Sequence, residues 1–340
     1  MAKLLRLSPL LGLVQVLVSF AVAQESTCPL FDSANQRVDA TGIQVQSNKT
    51  VLLSCHDSAG DERVATRKLE INGEGYLLLT DPVKLSSRIE RDSCWKCVKT
   101  SVIELVGTRL GSALFRLTEG GDTRKPAHAN MGLNRAENSV EGIFLTGDLC
   151  PSVKPLDRKF FTDLAKGPGA QPVALAVTGR WMESHGSDLK WLKEQVHEGK
   201  LDITWVNHSF NHPFVPHQKE KDNFLLKAGS DLDFEVLQTE KAMIERGLTP
   251  SVFFRFPGLV SNDSLMDRMR SYSLIPLGTS AWLAKGEEPQ AGSIVLVHPN
   301  GNEPAGIQRF AKLKRDKKLV LPLLPINEAP SPGRRRLPES

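Results

Sequence analysis

Past its first two dozen residues, the chain has no long apolar run. A bilayer-spanning helix needs about 20 such residues, and no later segment supplies them. It also lacks a charge excess: 43 Lys and Arg face 39 Asp and Glu. That balance argues against nucleic acid or an anionic membrane as partner. The two local basic runs, Lys312 to Lys318 and Arg334 to Arg336, fit a solvated helix end and a tail. There is no internal repeat. Cysteine is sparse, with five in the chain: Cys28, Cys55, Cys94, Cys97 and Cys150. Cys28 with Cys55 is one natural disulfide pair, although spacing does not fix connectivity. Cys94-Trp95-Lys96-Cys97 has thiol-redox spacing, but the following residues alternate like a strand rather than opening a βαβ unit, which favours a structural role.

The start of the chain points to export. Lys3 and Arg6 precede an apolar run to Val22, and Ala21-Val22-Ala23 places small residues where a signal peptidase reads. A signal peptide over 1–23 is expected, cut before Gln24, which makes the mature protein secreted or periplasmic. Without Lys3 and Arg6 the basic side chains fall from 43 to 41, against 39 acidic ones. Oxidised cysteines suit that compartment.

Two textures follow. Residues 24–135 carry short apolar runs, Thr50 to Ser54, Tyr76 to Thr80 and Val102 to Val106, separated by Gly, Asp, Asn and Pro. They predict a small antiparallel β-rich domain with disulfides. A polar stretch from Glu119 to Asn138 reads as a linker. From 141 to 322 strands alternate with helices. Strands are expected at 142–146, 173–177, 202–206, 252–256, 274–277, 294–297 and 319–321. Helices are expected at 188–198, 231–246 (capped by Ser230 or Asp231), 262–270 and 305–313. That alternation implies an α/β fold with a parallel sheet, open or closed into a barrel. A disordered tail, rich in Pro and Arg, is expected over 327–340.

The richest stretch is Asn207-His208-Ser209-Phe210-Asn211-His212-Pro213. Two histidines four apart can chelate one divalent cation. A buried strand precedes them and Pro213 blocks a continuing helix, so the pair sits at the carboxyl end of a strand, where α/β folds place chemistry. Other strand ends carry Asp148, Arg255 with Pro257 and Gly258, Trp282, and His298. A carboxylate, a histidine pair, an arginine and another histidine on one face form a plausible set for metal-assisted hydrolysis. Singly, each has a plainer reading: Asp148 as a turn cap, His298 bonded to backbone, Arg255 paired with a surface acid. His185, His197 and His217 have no motif support and are expected to be exposed.

In this order the motifs resemble the polysaccharide deacetylase family with the NodB homology domain. The resemblance covers 141–322. It matches His208 to Pro213 (His-Ser-x-x-His-Pro), Arg255 with Pro257, and Leu296 with His298. Thr146-Gly147-Asp148-Leu149 matches the first motif in part, and Trp282 the fourth. It implies a distorted (β/α) barrel of the NodB deacetylase type and a hydrolase removing N-acetyl groups from an extracellular or cell-wall polysaccharide. His208 and His212 are then ligands of a divalent metal, most often zinc. Asp148 is the general base, His298 the general acid, and Arg255 orients Asp148. Trp282 walls the acetyl pocket with Pro257, and Gly258 offers a backbone N–H near the oxyanion.

Two positions depart from the pattern. Leu149 stands where the family has a metal-binding Asp, and Ser280-Ala281 where it has an Asp beside the Trp. Leucine cannot coordinate, which leaves Asp148 or the Cys150 thiolate to complete the site. Three functions follow from the sequence: the metal-dependent hydrolase, a degenerate carbohydrate-binding relative, and a thiol redox protein built on Cys94 and Cys97.

Overall fold

The computed structural model describes residues 28–31, 42–116 and 128–331. The expected signal peptide and residues 332–340 lie outside them.

The first part is an antiparallel sheet of β1 (Val45–His56), β2 (Glu62–Ile71), β3 (Glu74–Thr80), β4 (Ser87–Arg91) and β5 (Lys96–Lys99), in the order β4-β3-β2-β1-β5. Asn72 (φ 52°) and Gly73 (φ 80°) close the β2–β3 hairpin. Two left-handed residues give a two-residue turn whose twist matches the strands it joins. The disulfides join Cys28 to Cys94 and Cys55 to Cys97, which corrects the Cys28–Cys55 pairing. Cys55 lies directly opposite Cys97 across β1 and β5, so their Cβ atoms are already within bridging reach. Each cysteine of the C-x-x-C stretch is bonded to a different partner, and no vicinal dithiol is left for exchange. Val102 to Val106, expected as a strand, forms turns instead. They lead into α1 (Arg109–Arg116), whose Gly111 N–H is accepted by the Thr108 hydroxyl.

The rest is the α/β unit. In chain order it runs β6 (His128–Ala129), β7 (Phe144–Leu149), α2 (Arg158–Leu164), β8 (Gln171–Val177), α3 (Gly179–Ser184), α4 (Gly186–His197), β9 (Leu201–Asn207) and α5 (Thr239–Glu245). Then come β10 (Phe253–Phe254), β11 (Val260–Ser261), α6 (Asp263–Ser271), β12 (Ile275–Pro276), β13 (Ala281–Trp282), β14 (Ile294–Val297) and α7 (Pro304–Arg315). Seven strands pair in parallel in the order β12-β10-β9-β8-β7-β14-β13, while β6 and β11 form a separate antiparallel pair. The two edge strands, β12 and β13, are consecutive in the chain. A flat seven-stranded sheet would hold its edges about 29 Å apart. The five residue steps from Pro276 to Ala281 span at most about 17 Å. The sheet must therefore curl, and it is the distorted (β/α) barrel expected.

Alternation along the strands separates two cores. Phe144, Ala174, Ala176, Val206 and Ile294 pack with Leu85, Leu110 and Leu114 of the N-terminal part. The residues between them, such as Leu145, Leu149, Leu175, Val177, Trp205 and Val295, pack with helix residues including Phe160, Leu189, Leu192 and Phe310. The N-terminal part thus helps fill the barrel. It is also tied to α5: Arg67, 1% exposed, donates to both Glu240 carboxylate oxygens at 2.7 Å and to the Tyr272 carbonyl.

Some expectations change. Asp231 does accept from the Phe234 N–H at the start of the long helix, but residues 234–238 form a π-helical turn before α5. The strand expected at 319–321 is absent; Pro322 offers no N–H for a ladder, and Leu323 makes a single bridge to Ile143. The chain stays packed past Asn327, with Ala329 and Pro330 buried. Two short helices escaped the sequence: α2, capped by Asp157, and α3, capped by Thr178.

Candidate metal and catalytic centre

The expected residues converge at the carboxyl ends of the parallel strands. Asp148 is the second-last residue of β7, His208 follows β9, Arg255 follows β10, Trp282 ends β13 and His298 follows β14. Asp148 shares the inward face of β7 with Phe144 and Thr146, and Leu149 turns to the helix layer.

The histidine loop is held by backbone geometry. Ser209 (φ 66°) and His212 (φ 50°) both take left-handed conformations, which double the chain back. The Ser209 hydroxyl accepts from the His212 N–H at 3.1 Å. Glu235, in the π-helical turn, accepts from the Phe210 and Asn211 N–H groups at 2.9 and 2.8 Å, and from the Asn211 side chain at 2.8 Å. Asn207 donates to the Val236 carbonyl and accepts from the Ser209 N–H. The loop is thereby fastened to the irregular turn of its neighbouring helix. Nothing in the local sequence announced Glu235, because a π-helical turn has no distinctive residue pattern.

His208 is 1% exposed, and its Nδ1 lies 2.8 Å from the Arg255 carbonyl oxygen. Nδ1 therefore carries the proton, and Nε2 turns its lone pair to the site. Nε2 is 3.5 Å from Cys150 Sγ and 3.7 Å from Asp148 Oδ2. His212 meets His208 edge to face at a ring separation of 4.9 Å. Burial pushes both imidazoles down to about 3, so both are neutral and able to ligate at neutral pH. Ligand atoms of Cys150, His208 and His212 all fall within 4.8 Å of one another.

Arg255 is fully buried. It donates from Nη2 to the Thr146 hydroxyl at 3.0 Å, and its Nη1 stands 3.6 Å from Asp148 Oδ1. Asp148 Oδ1 and Arg255 Nε and Nη1 are buried with no hydrogen-bond partner within the protein. Stranded buried groups of this kind are costly unless a further ligand meets them. Two imidazoles, a thiol and a nearby carboxylate form a donor set that suits a zinc-like divalent ion.

An acid that the sequence reading did not include, Glu303, stands beside His298 and Trp282. Glu303 Oε2 lies 2.8 Å from His298 Nδ1 and accepts from Trp282 Nε1 at 2.8 Å. The Trp282 and His298 rings are 5.8 Å apart. Burial opposes ionisation of Glu303, but His298, Trp282 and the Lys285 charge together pull its carboxyl below the usual value. The sequence held a signal for this. Pro299-Asn300-Gly301 is a turn, with Gly301 at φ 76°, and it returns Glu303 beside His298 as an antiparallel bridge.

Pro257 and Gly258 lie in a short 3-10 turn after Arg255, with Gly258 at φ 62°. A Cβ there would strike the Phe224 ring, and Phe224 lies edge-on to His212. Gly258 thus backs the His212 wall. His185, expected exposed, is buried; it is within hydrogen-bond reach of Asp188 and the Ser152 carbonyl and stacks on Trp181. His197 and His217 are exposed.

No family model matches the chain. Among solved structures it is similar to a family 4 carbohydrate esterase from Bacillus anthracis, at 17% identity and TM-score 0.43, over 60% of this chain and 95% of that one. It is also similar to PdaA of Bacillus subtilis, a family 4 carbohydrate esterase, at 15% identity and TM-score 0.43, over 66% and 89%. A third is a pseudoenzyme of the same esterase family from Bacillus anthracis, at 14% identity and TM-score 0.41, over 61% and 71%.

Proposed function

We propose that this protein is an exported, metal-dependent hydrolase that removes N-acetyl groups from a polysaccharide. The observation that carries the reading is the convergence, at one end of the barrel, of the His208–His212 pair, the Asp148–Arg255 pair and the His298–Glu303 pair. Hydrolysis of an amide needs a polarised carbonyl, an activated water and a protonated leaving amine, and these three pairs offer one each.

His208 and His212 would hold the ion. When bound, a zinc-like divalent ion supplies Lewis acidity to the acyl oxygen and acidifies water. Asp148, beside the buried Arg255 guanidinium, takes the water proton at its carboxylate. His298, oriented by Glu303 through Nδ1, gives a proton from Nε2 to the departing amine nitrogen. Trp282 and Pro257 border the acyl site.

A carbohydrate-binding protein without turnover is the second reading, favoured by one observation: Leu149 is fully buried in the helix-side core and cannot serve the metal. Acetate release from N-acetylglucosamine oligomers separates the two. Release by the wild type that is abolished by a chelator, by Asp148→Asn and by His208→Ala supports the hydrolase. Oligomer binding by wild type and Asp148→Asn alike, with no acetate released, supports the second reading.

A further inference from the structure

We propose that Cys150, as a thiolate, is the third protein ligand of the metal centre, which makes it a His/His/Cys site for thiophilic divalent ions. The inference rests on the metal-centre reading above and adds the ligand that Leu149 cannot supply.

Strand geometry is the first argument. Successive residues of β7 point to opposite sides, so Leu149, one step past Asp148, turns into the helix layer. Cys150, two steps past Asp148, comes back to the side of the site. The second argument is distance. A nitrogen at about 2.05 Å and a sulfur at about 2.3 Å from one tetrahedral ion lie about 3.6 Å apart. Sγ of Cys150 and Nε2 of His208 are 3.5 Å apart.

Cys150 is held in place from behind. The buried Asn300 donates to its carbonyl at 3.0 Å, the Ser152 hydroxyl donates to the Asn300 carbonyl at 3.0 Å, and the Ser152 carbonyl contacts His185 Nε2 at 2.9 Å. Asp148 Oδ2 stands 3.7 Å from the same His208 Nε2, and Asp148 Oδ1 and Arg255 Nη1, 3.6 Å from each other, are buried with no hydrogen-bond partner. Cys150 is also the free cysteine among the described residues, the other four being in disulfides.

On binding, the S–H bond gives its proton to buffer and a sulfur–metal bond forms. No electrons are transferred. A thiolate beside two imidazoles favours zinc, cobalt or cadmium over magnesium, calcium or manganese, which seek oxygen donors. The competing account of the 3.5 Å contact is a simple S–H···Nε2 hydrogen bond in a protein that places no metal there.

Cobalt(II) distinguishes these. The mature protein, stripped by chelation, is titrated with cobalt(II) and its absorption spectrum recorded beside Cys150→Ser, Cys150→Asp and His208→Ala. The expected result is a near-ultraviolet sulfur-to-cobalt charge-transfer band together with visible d–d bands in the wild type. The charge-transfer band is lost in both Cys150 variants while d–d bands remain, and His208→Ala loses both. Alkylation of wild-type Cys150 serves as a check that needs no variant: cobalt or zinc should protect the thiol. Wild-type d–d bands without the charge-transfer band, or without protection, would overturn the thiolate assignment and leave a histidine metal centre standing. No cobalt bound by the wild type would overturn both.

Discussion

Glu303 Oε2 lies 2.8 Å from His298 Nδ1 and takes the Trp282 indole N–H as well. The carboxylate thereby sits against Nδ1 of His298, and in the proposed mechanism it would leave Nε2 to face the substrate. Glu303→Gln should lower kcat for acetate release by about 10- to 100-fold, the usual cost of removing an orienting carboxylate. KM should change little, and the pH profile of kcat should shift. An unchanged pH profile with full kcat would remove Glu303 from the mechanism.

Glu235 fastens the histidine loop through two backbone N–H groups. Glu235→Ala strands both donors and frees a loop with two left-handed residues. Zinc affinity by calorimetry should fall by about 10- to 100-fold, while the midpoint of urea unfolding of the metal-free protein moves much less. Glu235→Gln, which keeps an acceptor, should fall between the two.

Arg67 and Glu240 join the N-terminal sheet to the barrel as a fully buried pair. Arg67→Met leaves the Glu240 charge buried and unpaired, and should cost about 3–5 kcal/mol in urea denaturation. Adding Glu240→Leu should recover much of that loss. Equal losses in the single and double variants would show that the pair is not the source.

Acid stability should follow the histidines. His208 and His212 are held at about 3 by burial, below the ordinary value of 6.5. Their contribution is fully present above about pH 6.5, where folded and unfolded chains both carry neutral imidazoles. Between that pH and about 3 only the unfolded chain takes up protons, so stability drains as pH falls. The Tm of the chelated protein should drop steadily across this window. His208→Gln should flatten the drop, and a slope unaltered in that variant would contradict the assignment.

The sequence carried local periodicities well. Strands at 171–177, 201–207 and 294–297 and the helix at 186–197 were legible because each runs long enough to show a period. The two-residue strands β10 and β12 were legible only roughly and β13 (Ala281–Trp282) was missed, since they are fixed by neighbours rather than by their own pattern. Val102 to Val106 read as a strand because it is a short, nearly continuous apolar run, and a Thr108 cap and Gly107 turned that stretch toward a helix. Cys28 was matched to Cys55 by order along the chain, whereas register across β1 and β5 decided the bond.

Asp148, His208, Arg255 and His298 were legible as candidates in the sequence because each stands at or just past the carboxyl end of a parallel strand, and His212 because it lies four residues from His208. The tertiary structure decided which groups serve those residues. It placed Cys150 beside His208 across 58 positions, clamped the histidine loop with Glu235, and set Glu303 beside His298 and Trp282. The first two are contacts between segments whose separation in the chain carries no period and no spacing rule, and the order of the strands in the sheet brings them together, whereas Glu303 returns through the local turn after His298.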